Sequence, residues 1–210
     1  MKTKLAALLC LLMLLPACAW AASPAPLSDT ARYGVNVFLS NFSEQGITRF
    51  DPAEASDAQL AEFAALHIRI NRSRYVEASD KAGYNARVSD AYIRDVAEQY
   101  TGRRPQSLAP VNLTYENGYY YFSEGAPIDI GFVSMSAAEE LDEGVFGIYF
   151  GCYGAGWGWS NEDCRLRPEQ AAAKYWDAGA PYTGYAVIDT GMSGLEADRS
   201  AWRLIDYRID

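Results

Sequence analysis

Among the residues that could do chemistry, the run Tyr153-Gly154-Ala155-Gly156-Trp157-Gly158-Trp159, bracketed by Cys152 and Cys164, stands out. Glycines let the backbone take tight shapes, and Tyr and Trp faces stack on sugar rings or anchor a protein partner. Tyr153, Trp157 and Trp159 are therefore candidate ligand-binding residues. The competing reading folds both tryptophans inward, as a lid over the core. His67, the single histidine, has the chemistry of a general base in a Ser or Cys hydrolase. It shares a helical stripe with Leu60, Phe63 and Ala64, however, which points to a buried, hydrogen-bonded ring. No G-x-S-x-G elbow supplies a nucleophile. Glu139, Glu140, Asp142 and Glu143 are dense enough to offer the two carboxylates of glycoside hydrolysis. Acids crowded at a turn ordinarily stay solvated, because burying like charges together is expensive. The same cluster lacks the alternating acids of a calcium loop, and no C-x-x-C or second histidine supports zinc. No catalytic residue, metal ligand or cofactor is assigned.

These side chains are expected outside the cytoplasm. Lys2 and Lys4 precede an apolar run from Leu5 to Leu15, then Pro16 and the small residues Ala17 to Ala22, the pattern of an export signal. The run is shorter than the roughly 20 apolar residues that span a bilayer, and no comparable stretch follows. Ala19-Trp20-Ala21 offers an A-x-A site, so residues 1–21 read as a signal peptide. The rival is Leu15-Pro16-Ala17-Cys18, a lipobox-like run that would make Cys18 a lipidated first residue. Either cut leaves the pair Cys152 and Cys164 without another unmodified thiol. In an oxidising compartment that pair is expected as a disulfide, which would remove denatured-state entropy worth on the order of 3 kcal/mol. The expected location is periplasmic or secreted, alternatively membrane-anchored through the lipid.

Composition narrows the partners. The chain carries 18 basic and 27 acidic residues, a net charge of −9, and loss of Lys2 and Lys4 makes the mature protein more negative still. Such a surface repels phosphate backbones and anionic headgroups, so neither nucleic acid nor peripheral membrane binding is expected. The 15 tyrosines favour strands or a binding surface over a helical bundle.

The elements that must position these residues follow from pattern. Residues 22–28 form a proline-stiffened leader, and residues 29–210 read as one α+β domain. Val35, Phe38, Leu39 and Phe42 mark a first helix, stopped by Gly46. Ser56 and Gln59 form a capping box ahead of a second, running to about Ile70. Ser89 caps a third, ended by Gly102. After Pro105 come β-rich runs: Val111 to Tyr115, Tyr119 to Ser123, Ile128 to Ser136, Val145 to Tyr153, Gly184 to Asp189 and Trp202 to Arg208. Asn117-Gly118 predicts a type I′ hairpin and Asp142-Glu143-Gly144 another turn. Pro168 to Tyr175 predicts a short excursion helix. The expected architecture is N-terminal amphipathic helices packed on a C-terminal curved antiparallel sheet.

The segments Phe38 to Glu44, Asn117 to Phe122 and Trp202 to Tyr207 resemble a set of exported bacterial proteins and lipoproteins of unknown function. The resemblance implies a bacterial, extracytoplasmic setting and brings no catalytic residues. Together with the Gly/Trp loop it points to a non-enzymatic envelope or periplasmic protein that binds a ligand or an envelope protein. A glycan hydrolase using paired carboxylates and an inhibitor or accessory subunit of an envelope enzyme are the alternatives.

Overall fold

The computed structural model describes residues 27–108, 113–123, 130–156, 158–179, 181–191, 193–196 and 198–210. Cys18 and Trp157 lie outside them. The helices begin where capping chemistry places them. Ser28 Oγ accepts from the Ala31 amide at 3.1 Å to start α1 (Asp29–Ser43). The Ser56–Gln59 box opens α2 (Asp57–Asn71), and α3 (Asp90–Thr101) ends on Gly102 at φ 69°. Val35, Phe38, Leu39 and Phe42 of α1 are all buried. Phe42 stacks on Phe63 of α2 at 4.6 Å, and Phe38 stacks on Tyr100 of α3 at 5.5 Å.

These helices cover the inner face of a five-stranded antiparallel sheet of order β1-β9-β8-β7-β6. The strands are β1 (Arg49–Phe50), β6 (Gly131–Asp142), β7 (Val145–Gly154), β8 (Tyr182–Asp189) and β9 (Arg203–Ile209). Ile148, Phe150, Ala186, Ile188, Leu204 and Tyr207 supply the sheet's share of the core. The fold is thus α+β, with one departure from expectation: the strands form two sheets rather than one. β4 (Thr114–Glu116) and β5 (Tyr119–Phe122) make the predicted hairpin, with Asn117 and Gly118 at φ 52° and 78°. That hairpin pairs with β3 (Ala86–Ser89) and, through it, β2 (Glu77–Ala78), in the order β2-β3-β5-β4. Only Val88 of β2 and β3 is buried, so the alternation that reveals a strand is missing there.

Strand β6 lies at the sheet's edge, where unpaired backbone groups invite aggregation. A polar stripe of α1 covers it. Met135 N–H donates to Asn36 Oδ1 and Val133 N–H to Ser40 Oγ, both at 2.8 Å. Arg32 Nη1 donates to Met135 O at 2.9 Å and Ser43 Oγ to Gly131 O at 2.6 Å. Side chains one helical turn apart therefore replace the missing neighbouring strand.

The segment after β7 folds over the outer face. The 3-10 turn Asn161–Arg165 and the helix α4 (Pro168–Lys174) pack around Phe132, Cys164 and Ala171. Asn36 Nδ2 donates to Cys164 O at 2.8 Å, and Ser134 Oγ to Leu166 O at 2.8 Å. Buried Asp163 pairs with Lys174. Burial pushes the Asp163 carboxyl upward, but the Lys174 ammonium and the Ser160 amide outweigh it and hold the group below its ordinary range.

The expected Cys152–Cys164 disulfide is not formed. Successive residues of a strand face opposite ways. Cys152 faces inward with Phe150 and Val133, whereas Cys164 joins the outer cluster with Phe132, the residue beside Val133. Cys164 Sγ lies 3.6 Å from Ser40 Oγ, and burial pushes its thiol up to about 11. Sequence proximity alone did not distinguish the two faces.

Candidate functional site

The outer cluster decides where two of the three predicted ligand-binding residues go. Phe132 has Tyr153 at 6.0 Å, Trp159 at 5.8 Å and Tyr175 at 5.6 Å between ring centroids. Tyr153 lies down on the strand: a Cβ at Gly151 would meet its Cε2 at 2.8 Å. Tyr153 and Trp159 are both part-buried in this packing, and Trp157 lies outside the described residues. Without the disulfide the loop is also not fenced. The predicted acids are spread out: Glu139, Glu140, Asp142 and Glu143 are all exposed, with Glu139 and Glu140 on opposite faces of β6. Glu139 accepts from Tyr149 Oη at 3.1 Å and Asp142 from the Glu143 amide at 2.8 Å. Among the described residues no group of three or more His, Cys, Asp or Glu is placed to hold a metal, and no helix is long and apolar enough to cross a membrane.

His67 leads to a different place. It is 2 % exposed, as its stripe predicts, and it lines a polar cleft of about 350 Å³. Helix α1 supplies Phe38 and Asn41 to the wall, the end of α2 supplies His67, Asn71 and Arg72, and α3 supplies Gln99 and Tyr100. Asn161 and the turn Asp198 to Ser200 close the other side.

The hydrogen bonds fix the state of each group. Asn71 Nδ2 contacts both the Glu44 carboxylate and, at 3.3 Å, His67 Nδ1. A carboxylate accepts only, so the amide nitrogen must face Glu44 and also donates to Nδ1. Neutral His67 then carries its proton on Nε2, which is buried and has no hydrogen-bond partner among the described residues. Burial first, and Arg72 second, lower the imidazole pKa to about 3. The Tyr100 ring lies 4.6 Å from that of His67. Tyr100 Oη accepts from Asn41 Nδ2 at 3.4 Å and from Arg72. Burial raises its pKa against the pull of Arg72, so the phenol stays protonated. Arg72 also donates to Tyr92 Oη at 3.0 Å and Gln99 Oε1 at 2.9 Å. Its partners are neutral, and among the described residues no ion pair takes up Arg72 or Arg199.

The sequence flagged His67 but not the cleft, which needs three helices and two turns far apart in the chain. The polar residues Asn41, Asn71 and Arg72 near the C-terminal ends of amphipathic helices were the available signal. Comparison with protein-family models, with curated proteins and with solved structures gives no match, so the functional reading rests on the cleft.

Proposed function

We propose that this chain is an extracytoplasmic, non-enzymatic binding protein whose small ligand seats in the cleft between His67, Arg72, Tyr100 and Arg199. The leader supports export, and the volume sits at the low end of the range for small-molecule sites. The observation that carries the reading is a polar cleft lined by two cations, Arg72 and Arg199, that no ion pair among the described residues takes up. Binding fits better than catalysis. An imidazole with a pKa near 3 and a protonated phenol do not exchange protons near neutral pH, as a general acid or base must.

The test is saturation-transfer NMR with acetate, inorganic phosphate, glucose, N-acetylglucosamine and acetamide. It compares the native protein with Ser200→Trp, which places bulk at the exposed rim. At least one probe is expected to receive saturation from the native protein and to lose it in the variant. Transfer that is unchanged by Ser200→Trp, or absent for all five probes, overturns the reading.

A further inference from the structure

We infer that the ligand of this cleft is a small oxyanion, a carboxylate or phosphate group gripped by Arg72 and Arg199 with Tyr100 as a neutral donor. The inference rests on the cleft being a binding site and adds the chemistry of the occupant.

The argument is one of donors and acceptors. Tyr100 Oη already receives hydrogen bonds from Asn41 and Arg72, so its own hydrogen is left to give. Arg72 has five N–H groups and spends its bonds on uncharged oxygens. Arg199 stands on the opposite wall, its guanidinium 5.8 Å above the Tyr33 ring. Three of the nearby acceptors are already engaged. Gln99 Oε1 takes Arg72, Asp198 Oδ1 takes the Ser200 amide at 3.0 Å, and Glu44 takes Asn71. Two lining guanidinium groups that no ion pair among the described residues takes up, beside the spare Tyr100 hydroxyl hydrogen, favour an occupant that carries negative charge. A carboxylate or phosphate supplies that charge on paired oxygens that the planar guanidinium fork can meet bidentately. In a chain of net charge −9, large polyanions are repelled at long range while a small anion is screened and can enter.

Isothermal titration with inorganic phosphate, acetate and succinate, against glucose and acetamide, tests the class and separates phosphate from carboxylate. At least one anion is expected to bind, with glucose and acetamide silent. Arg72→Gln and, independently, the exposed Arg199→Gln should each weaken that anion by about tenfold or more, the worth of a charge-assisted hydrogen bond. Arg208→Gln, on the outer sheet face, should leave it unchanged. Glucose or acetamide binding lost in Ser200→Trp, with all anions silent, overturns the oxyanion while sparing the binding site. Silence from every probe overturns both. Anion binding that survives both arginine variants shows that the anion sits elsewhere and overturns the inference.

Discussion

Burial and the Arg72 guanidinium keep the His67 ring uncharged down to about pH 3, whereas in the unfolded chain it takes up a proton near 6.5. Below that pH the unfolded state binds a proton that the folded state does not. Stability is therefore fully present above about 6.5 and is lost as pH falls toward the folded value, by roughly 1.4 kcal/mol per unit. Urea unfolding of the native protein and His67→Gln at a series of pH values should show the native curve falling more steeply between 6 and 4. Parallel curves would mean that the ring is charged or exposed in the fold. Cys152 and Cys164 yield a second prediction at this scale. Cys152 packs in the core cluster and Cys164 in the outer one, and a disulfide demands Cβ atoms about 4 Å apart and pointing together, so both thiols are expected to be reduced. Alkylation in denaturant without reductant should add two groups to the mature chain, observed by intact mass. Uptake of none would restore the disulfide expected from the compartment.

At the scale of the element, helix α1 does two jobs with two stripes. Val35, Phe38, Leu39 and Phe42 fill the core, while Arg32, Asn36, Ser40 and Ser43 complete the edge of β6. The apolar stripe was legible as a period of 3.6 residues. The polar stripe was not, because a row of Asn and Ser on a helix reads equally well as a solvated face. Asn36→Leu tests its role. The change orphans the Met135 amide and the Cys164 carbonyl, each costing about 1–3 kcal/mol. Urea unfolding should show a loss of that order, and the exposed edge should raise the tendency to aggregate. A variant as stable as the native protein would mean that water replaces both bonds. The hairpins were legible for a different reason: Asn117-Gly118 and Glu143-Gly144 are local turn chemistry, needing no knowledge of what the strands pair with. The partner of the first hairpin was hidden, since β3 presents only Val88 to the core.

Across the whole molecule, what was readable is what is local. Caps, periodicity and turns gave the helices and most of the strands. The cleft is assembled from α1, α2, α3 and turns near Asn161 and Arg199, and no short window of sequence contains more than three of its lining residues. The Gly/Trp loop drew attention because its aromatics are concentrated in seven residues, yet Tyr153 and Trp159 serve the outer cluster around Phe132. Tyr153 and Trp159 thus help to clamp the segment after β7 to the sheet, and that segment in turn brings Asn161 to the cleft. Trp159→Ala should consequently lower stability by a few kcal/mol, about 3–5 for a fully packed aromatic and less here because the ring is part-buried. It should leave the ligand preference of the cleft unchanged; a change in preference without loss of stability would return the loop to the binding surface. The most direct test of the central claim is the long-range ¹⁵N spectrum of the His67 imidazole, recorded from pH 5 to 8 with and without inorganic phosphate or acetate. The structure predicts a neutral ring protonated on Nε2 that does not titrate in this range, and an Nε2 resonance that moves when the anion is added. A ring that titrates near 6.5, or an Nε2 resonance indifferent to every anion offered, would contradict it.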